Sequence, residues 1–501
     1  MKKLFLSLFV LTITGALSAQ RIDFHMGDNS NNKAYAPTMI QIAEGVQEGQ
    51  LLIVEPELKA VSGPLTNPVK AVSVRLCDME WKDVKKVTLD DTKGDVIQKA
   101  FRSDNRLHVL VSHSDKKFLK LRHVVFDAQS LDIVTDNALV DVTLQKGDEG
   151  AVWTADSPNG LYHGVVYVVW SKKEQSTAVA MLYDKDMNKL WERELAYSDI
   201  LNVVVCDNAT IATSRLGMIE DNKDLTAFRI NLANADGEKH GEFVLDADVS
   251  DMALMNTDGH NVLAVALEGK GGYGVLRIGS LGTRSYTGVW GLVFDLDAQR
   301  ITVGNRHAFT DDDLCLFENQ SAGTKMLSHK TDYVRLLDQC TTPQGGAALY
   351  QRAWKVETRN ARTGMTTSET VHSMGILMVQ ADMQGVLTIN RIPQNNQNAD
   401  WPKVGADVFP HNGKVYVLTN ESKHETDEYT PGQPAQRSKS LLMANAALSL
   451  YWFTPDGQGA KQMLEKERKA ILYAPSYAAG NGKFYFLAGS MKPCLCSITL
   501  P

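Results

Sequence analysis

One strand–turn–strand pattern recurs down this chain and limits what it can fold into. Residues 179–195 show it in full. An apolar run from Val179 to Tyr183 meets an Asp/Asn/Lys turn and leaves through an alternating segment, Leu190 to Leu195. Asp and Asn side chains bond their own backbone in turns, and the flanking runs have strand chemistry. The pattern returns at 74–81, 124–131, 228–237, 292–297, 378–385 and 451–457. A second pair of strand-like runs precedes each copy, as 97–101 and 107–111 do for the copy at 124–131.

The turn acids read as Asp78, Asp127, Asp184, Asp236, Asp295, Asp382 and Asp456. Their spacing is about 50 residues and widens late; a four-stranded blade takes roughly 40 to 50. One such unit cannot bury its apolar face alone, so the copies must stack. No helical pattern intervenes. The spacing therefore predicts an all-β ring of four-stranded antiparallel blades, a β-propeller, rather than a parallel α/β sheet.

The two ends of the chain supply a further unit. Residues 484–488 and 495–499 are strands without an outer partner, and 21–25 is a strand without a hairpin of its own. Joining head to tail completes an eighth blade and removes exposed edges. Eight blades are the expectation, with seven as the alternative. A chain of 501 residues has room for two or three ordinary domains. The repeats nevertheless run to the end with no Pro- or Gly-rich linker, so residues 20–501 read as a single ring.

Residues 1–19 read as a signal peptide. Lys2 and Lys3 open a run, 4–13, that is apolar apart from Ser7 and Thr12, and Ala16, Ser18 and Ala19 supply small residues for cleavage after Ser18 or Ala19. The run is too short to span a bilayer, and no later stretch approaches the roughly 20 apolar residues of a spanning helix. The expectation is export to the periplasm, the cell surface or the medium. The 52 basic residues fall to 50 once Lys2 and Lys3 leave with the leader, against 59 acidic ones, a balance of −9. That balance speaks against a nucleic-acid partner. Six cysteines in this length make no dense disulfide framework. Cys494 and Cys496 share one strand face and read as small core residues.

Within a blade the strands are lettered A to D from the axis outward. B–C and D–A connections then share one rim, and A–B and C–D connections share the other. From the fourth blade on, the B–C links lengthen, over 215–224, 269–287, 357–370 and 421–439, and a long D–A link covers 309–330. Long loops on a rigid scaffold are where binding usually resides. Tyr273, Arg284, Tyr286, Arg359, Arg362 and Tyr429 are the candidate ligand-binding residues, since aromatic and Arg side chains form strong contacts. Thr310-Asp311-Asp312-Asp313-Leu314 starts like a capped helix, a reading preferred to a Ca²⁺ site.

Catalytic and cofactor motifs fail in context. Gly269-Lys270-Gly271-Gly272-Tyr273-Gly274 matches a dinucleotide fingerprint, but β-like residues follow it where a helix is needed. Asp184, Asp186 and Asn188 imitate the start of a Ca²⁺ loop, yet the sixth position is Lys189 and the twelfth Leu195. Ser114 and Lys117 have acylase spacing without its companion motifs. The twelve His residues show no zinc-ligand pair. Nothing here calls for a metal or a cofactor.

The repeated units resemble the β-propeller superfamily over most of the mature chain, which looks like an exported bacterial propeller. The resemblance is architectural. The Gly-His…Trp-Asp pair, the kelch double glycine and the Ser-x-Asp-x-Gly-x-x-Trp box are all absent, so it implies a fold and no site residue. Two functions follow as expectations. The first is a non-enzymatic binding protein that holds a protein, peptide or glycan on the enlarged rim. The second is a hydrolase or lyase acting on a carbohydrate or lactone at the axis.

Overall fold

A computed structural model describes residues 22–29, 40–58, 69–219, 222–270, 285–310, 313, 332–359, 366–393, 396–398, 406–424, 426, 428–431, 446–465, 471–472, 479–480, 482–489 and 493–501. Eight separate sheets account for the strands. Seven are built from consecutive strands, over 41–89, 96–143, 149–194, 202–245, 249–308, 332–392 and 406–465. The eighth combines strands from 471–499 with the N-terminal strand Asp23–Asn29. The chain is an eight-bladed β-propeller; among the described residues only Asp313 is helical.

The last blade joins the two ends of the sequence. Asp23–Asn29 runs antiparallel to Pro493–Thr499, pairing Asp23 with Thr499 and Met26 with Cys496. The closing strand falls where the sequence placed it, and eight blades prevail over seven. Ile22, ahead of this strand, is 3 % exposed.

Eight apolar clusters hold the ring, each shared by two consecutive blades. The first and second blades share Leu52, Val54, Val72, Val74, Leu107 and Val109. The eighth and first share Ile42, Leu51, Ile53, Tyr485 and Leu487. Alternation along a strand sends successive side chains to opposite neighbours. Thus Leu52 packs forward and Leu51 and Ile53 pack back. The middle strands are covered on both faces and read as unbroken apolar runs. The outer strands are not, as the mostly exposed Asp83–Leu89 illustrates. Each fully buried Leu, Ile or Val contributes roughly 1.5–3 kcal/mol, so no blade is stable without its neighbours.

The C–D turns explain the repeat. Asp78, Asp127, Asp184, Asp295 and Asp382 each accept two backbone N–H bonds through Oδ1, from residues two and three or four further on. In two blades the residue at this position differs from the expected acid. Asn234, not Asp236, accepts from Asp236 and Gly237. In the other, Thr454 Oγ1 accepts the Gln458 N–H at 3.1 Å, and Asp456 accepts from Gln458 Nε2 at 2.9 Å. The position needs an acceptor at the strand end, which an amide or hydroxyl also supplies. Asp184 also accepts from Asn188 Nδ2 at 2.9 Å, so the apparent Ca²⁺ motif is a turn.

Candidate functional site

The two rims of the ring differ. Around the A–B and C–D turns, side-chain and main-chain bonds cross every junction between blades. Lys85 meets Asp132 at 3.2 Å between the first and second, and Ser103 donates to Asp186 between the second and third. The Asn159 N–H donates to Asp207 Oδ1 at 2.9 Å, and Asn208 Nδ2 to the Thr257 carbonyl at 3.0 Å. Asn305 Nδ2 donates to the Gly385 carbonyl at 3.0 Å, and Thr388 Oγ1 to that of Pro455 at 3.4 Å. Asn412 Nδ2 donates to the Pro501 carbonyl at 3.1 Å, and the Asp28 N–H to Glu80 at 2.8 Å. This rim is short-looped and locked.

On the other rim the strands themselves run outward. The fourth blade's middle pair continues to Ile219↔Asn222, so 215–224 is largely paired strand rather than loop. In the fifth blade pairing reaches Lys270↔Ser285, and in the seventh Ser422↔Ala446. The sixth blade goes furthest. Its strands Gly345–Arg359 and Thr366–Asp382 pair out to Arg359↔Thr366. Its outer strand covers only Ile376 to Ala381, and the short strand Asn396–Asn398 adds to Val371 to Ser373. The first blade, whose pairing ends at Leu58↔Val69, also carries a link, 59–68, that the sequence reading passed over.

The expected ligand-binding residues divide accordingly. Tyr273, Arg284 and Arg362 lie outside the described residues. Arg359 ends the sixth blade's second strand. Tyr286 is 8 % exposed, packs in the core between the fifth and sixth blades, and its hydroxyl accepts the Val334 N–H at 2.7 Å. Tyr429 stands edge-on to Tyr451 and Phe453, and its hydroxyl donates to the Arg391 carbonyl at 3.1 Å. Both tyrosines thus anchor the base of the rim. Thr310 and Asp313 cap each other. The Thr310 N–H donates to Asp313 Oδ2 at 2.8 Å, and the Asp313 N–H to Thr310 Oγ1 at 3.1 Å. Asp313 also meets His307 at 3.1 Å and pairs with Arg391, joining the fifth and sixth blades.

A cleft of about 250 Å³ opens on the locked rim, lined by Pro158, Asp207, Asn208, Asn256, Thr257, Asp258, Thr342, Pro343 and Met383. Eight of the nine come from the A–B turns and adjoining strand ends of the third to sixth blades, and Met383 from a C–D turn.

Ionisable groups are also buried inside and between blades. Glu268 accepts from Thr287 Oγ1 at 2.5 Å and Trp290 Nε1 at 2.6 Å, and takes Arg306 bidentately at 2.7 and 2.8 Å. The Arg306 bonds, outweighing burial, bring its carboxyl down to about 2. In the seventh blade Glu421 takes Lys461 and Ser449, each at 2.7 Å, and the Tyr451 hydroxyl. Between the second and third blades Lys99 pairs with Asp156 and lies 3.2 Å from His163, which itself sits 2.7 Å from Asp156. Beside them His108 Nδ1 is 2.9 Å from His123 Nε2. Burial lowers Lys99 to about 7 and both His108 and His123 to about 4; burial, then the Lys99 charge, lowers His163 to about 3.

A carboxyl pair lies in the inner strands of the sixth and seventh blades. Asp338 Oδ2 accepts the Val408 N–H at 2.9 Å and shares a hydrogen bond with Asp407. Burial, then the charge of Asp338, pushes Asp407 well up. The described cysteines are free thiols, and burial raises Cys77 and Cys206 to about 12. Cys494 and Cys496 pack in one core as expected. Among the described residues no group of three His, Cys, Asp or Glu is placed to hold a metal, and no helix is long and apolar enough to cross a membrane.

No protein-family model matches the chain. No curated protein matches it either. Solved structures share its outline at low identity. The WD40 domain of SCAP from fission yeast is 8 % identical over 95 % of this chain and 98 % of that one, with a TM-score of 0.35. The β-propeller domain of the Trilobed protease from Pyrococcus furiosus is 9 % identical over 81 % and 93 %, with a TM-score of 0.32. A PL25 polysaccharide lyase, an ulvan lyase, is 10 % identical over 73 % and 81 %, with a TM-score of 0.35. The assignment to the propeller fold rests on the strand order and ring closure above.

Proposed function

We propose that this chain is an exported binding protein whose ring is a rigid stage and whose outward-running rim engages a protein, peptide or glycan. The observation that carries this reading is the inequality of the rims. One side is bonded across every junction, while on the other the sixth blade's strand pair continues to Arg359↔Thr366, past the outer strand's last partner, Ile376. Holding such a ribbon on a stiff base limits the ordering cost of binding. Export is supported by the leader-like residues 1–19.

The test replaces residues 358–368 with an Asn-Gly turn, which keeps the Glu357↔Glu369 register, and compares the shortened protein with the parent on peptide and glycan arrays. Loss of the parent's array hits at unchanged Tm supports the proposal. Retention of every hit, or an array to which the parent does not bind, rejects it. The double variant Arg359→Ala/Arg362→Ala should lose the same hits.

A second reading, cleavage of a carbohydrate or lactone, has one observation in its favour: the hydrogen-bonded carboxyl pair Asp338 and Asp407 in the innermost strands. Two carboxyl groups with separated proton affinities can divide acid and base roles. Turnover on a polysaccharide and ester panel that disappears in Asp407→Asn would support it, and a silent panel would reject it.

A further inference from the structure

The cleft on the locked rim has no part in the function proposed above. Its volume of about 250 Å³ falls below the roughly 300–1,000 Å³ of pockets that enclose a drug-sized ligand. One side chain suits it better than a whole sugar chain or cofactor.

Its walls have two characters. Pro158, Pro343 and Met383 give apolar surface, and methionine adapts its shape to what it contacts. Asp207 and Asp258 give negative charge, and none of the nine lining residues is cationic. Asp258 is fixed by the backbone N–H groups of His260 and Asn261 and by Asn261 Nδ2, at 2.7–3.0 Å. Burial opposes its ionisation, yet these bonds hold it below the ordinary carboxylate value. Asp207 is exposed and takes the Asn159 N–H on Oδ1, which leaves Oδ2 without a partner among the described residues. Asn208 and Asn256 are turned to the Thr257 and Thr342 carbonyls, so they frame the cleft. The turns beneath are bonded blade to blade, and the cleft is therefore preformed.

An apolar wall with a negative end matches a long basic side chain, which buries its aliphatic stem and keeps its head among polar groups. We propose that the cleft takes one Lys or Arg side chain of a partner peptide, the stem against Pro158, Pro343 and Met383 and the cationic head against Asp207 and Asp258. The site lies on the opposite rim from the ribbon and is independent of it.

The test titrates the full-length mature protein with fluorescein-labelled Gly-Gly-Arg-Gly-Gly, with its Lys and citrulline counterparts, and with 1,5-diaminopentane as a competitor. Saturable binding of the Arg and Lys peptides is expected, on the order of tenfold tighter than that of the neutral citrulline peptide and weakened by salt. Asp207→Asn keeps an acceptor for Asn159 but removes the charge, and should weaken the Arg peptide on the order of tenfold at unchanged Tm. No saturable binding, equal binding of the citrulline peptide, or unchanged affinity in Asp207→Asn overturns the proposal. Tighter binding of diaminopentane than of either peptide overturns the peptide as occupant. The ribbon-shortened protein should bind these peptides normally, so failure here leaves the ribbon reading intact, and the reverse.

Discussion

Gln462 grips Ile22 from both sides: its Oε1 accepts the Ile22 N–H at 3.0 Å, and its Nε2 donates to the Ile22 carbonyl at 3.0 Å. The two residues are 440 positions apart. This amide ties the start of the closing strand to the outer strand of the seventh blade, Gly459–Glu465.

Gln462→Ala should therefore loosen the N-terminus before anything else. Two part-buried hydrogen bonds at roughly 1 kcal/mol each predict a loss of about 2 kcal/mol, concentrated in Asp23–Asn29. Amide exchange should quicken in that strand while the second blade stays protected. Uniform acceleration would show that the tie is not local.

Acid should attack the junction of the second and third blades. His108, His123 and His163 are held neutral, with values lowered to about 4, 4 and 3. Their folded values lie below the ordinary value near 6.5, so the unfolded chain binds more protons as pH falls. The stability they contribute is complete above about pH 6.5 and drains away toward pH 4. NMR should find all three rings uncharged at pH 5.5, and midpoints near 6.5 would refute this.

The carboxyl pair has the opposite sign. Asp407 and Asp338 are raised in the folded protein, by burial first. Their contribution is complete below the ordinary Asp value and declines as pH rises through the folded values. Asp407→Asn should stabilise the protein at pH 7.5, where the buried pair resists ionisation, and leave it unchanged near pH 3.5. Denaturant melts at the two pH values decide it; a destabilised variant at pH 7.5 would contradict the assignment.

Lys461 and Glu421 are an enclosed ion pair, their side chains 4 % and 2 % exposed. Lys461→Met leaves the carboxylate unanswered and should cost about 3–5 kcal/mol. Adding Glu421→Gln should recover most of that loss. If the double variant is no better than the single one, packing and not charge explains the defect.

Much of this was legible in the sequence because its cause is local. An acceptor at the strand end makes the C–D turn, so Asp78, Asp127 and Asp382 disclosed the repeat, and unpartnered strands disclosed the closure. The two misplaced turn residues, Asp236 and Asp456, are acids lying just past the true acceptors, Asn234 and Thr454. The ribbon escaped notice because polar strands such as 355–359 lack apolar alternation. The buried ion pairs escaped because their partners come from other strands or blades, as Lys99 and Asp156 do. One signal was present: Glu268 ends an otherwise apolar run, Val262 to Leu267. The cleft had none, since five turns from four blades make it.

Head-to-tail closure also constrains how a copy is made. Until residues near 499 exist, the sheet that receives Asp23–Asn29 cannot form. A growing chain is thus an arc with two raw flanks, one presenting Ile42, Leu51 and Ile53, the other Tyr416, Leu418 and Trp452. Contacts this distant in sequence form slowly. Self-association should therefore concentrate in the interval between completion of the seventh blade and arrival of the last strand, and a finished ring should be largely immune to it.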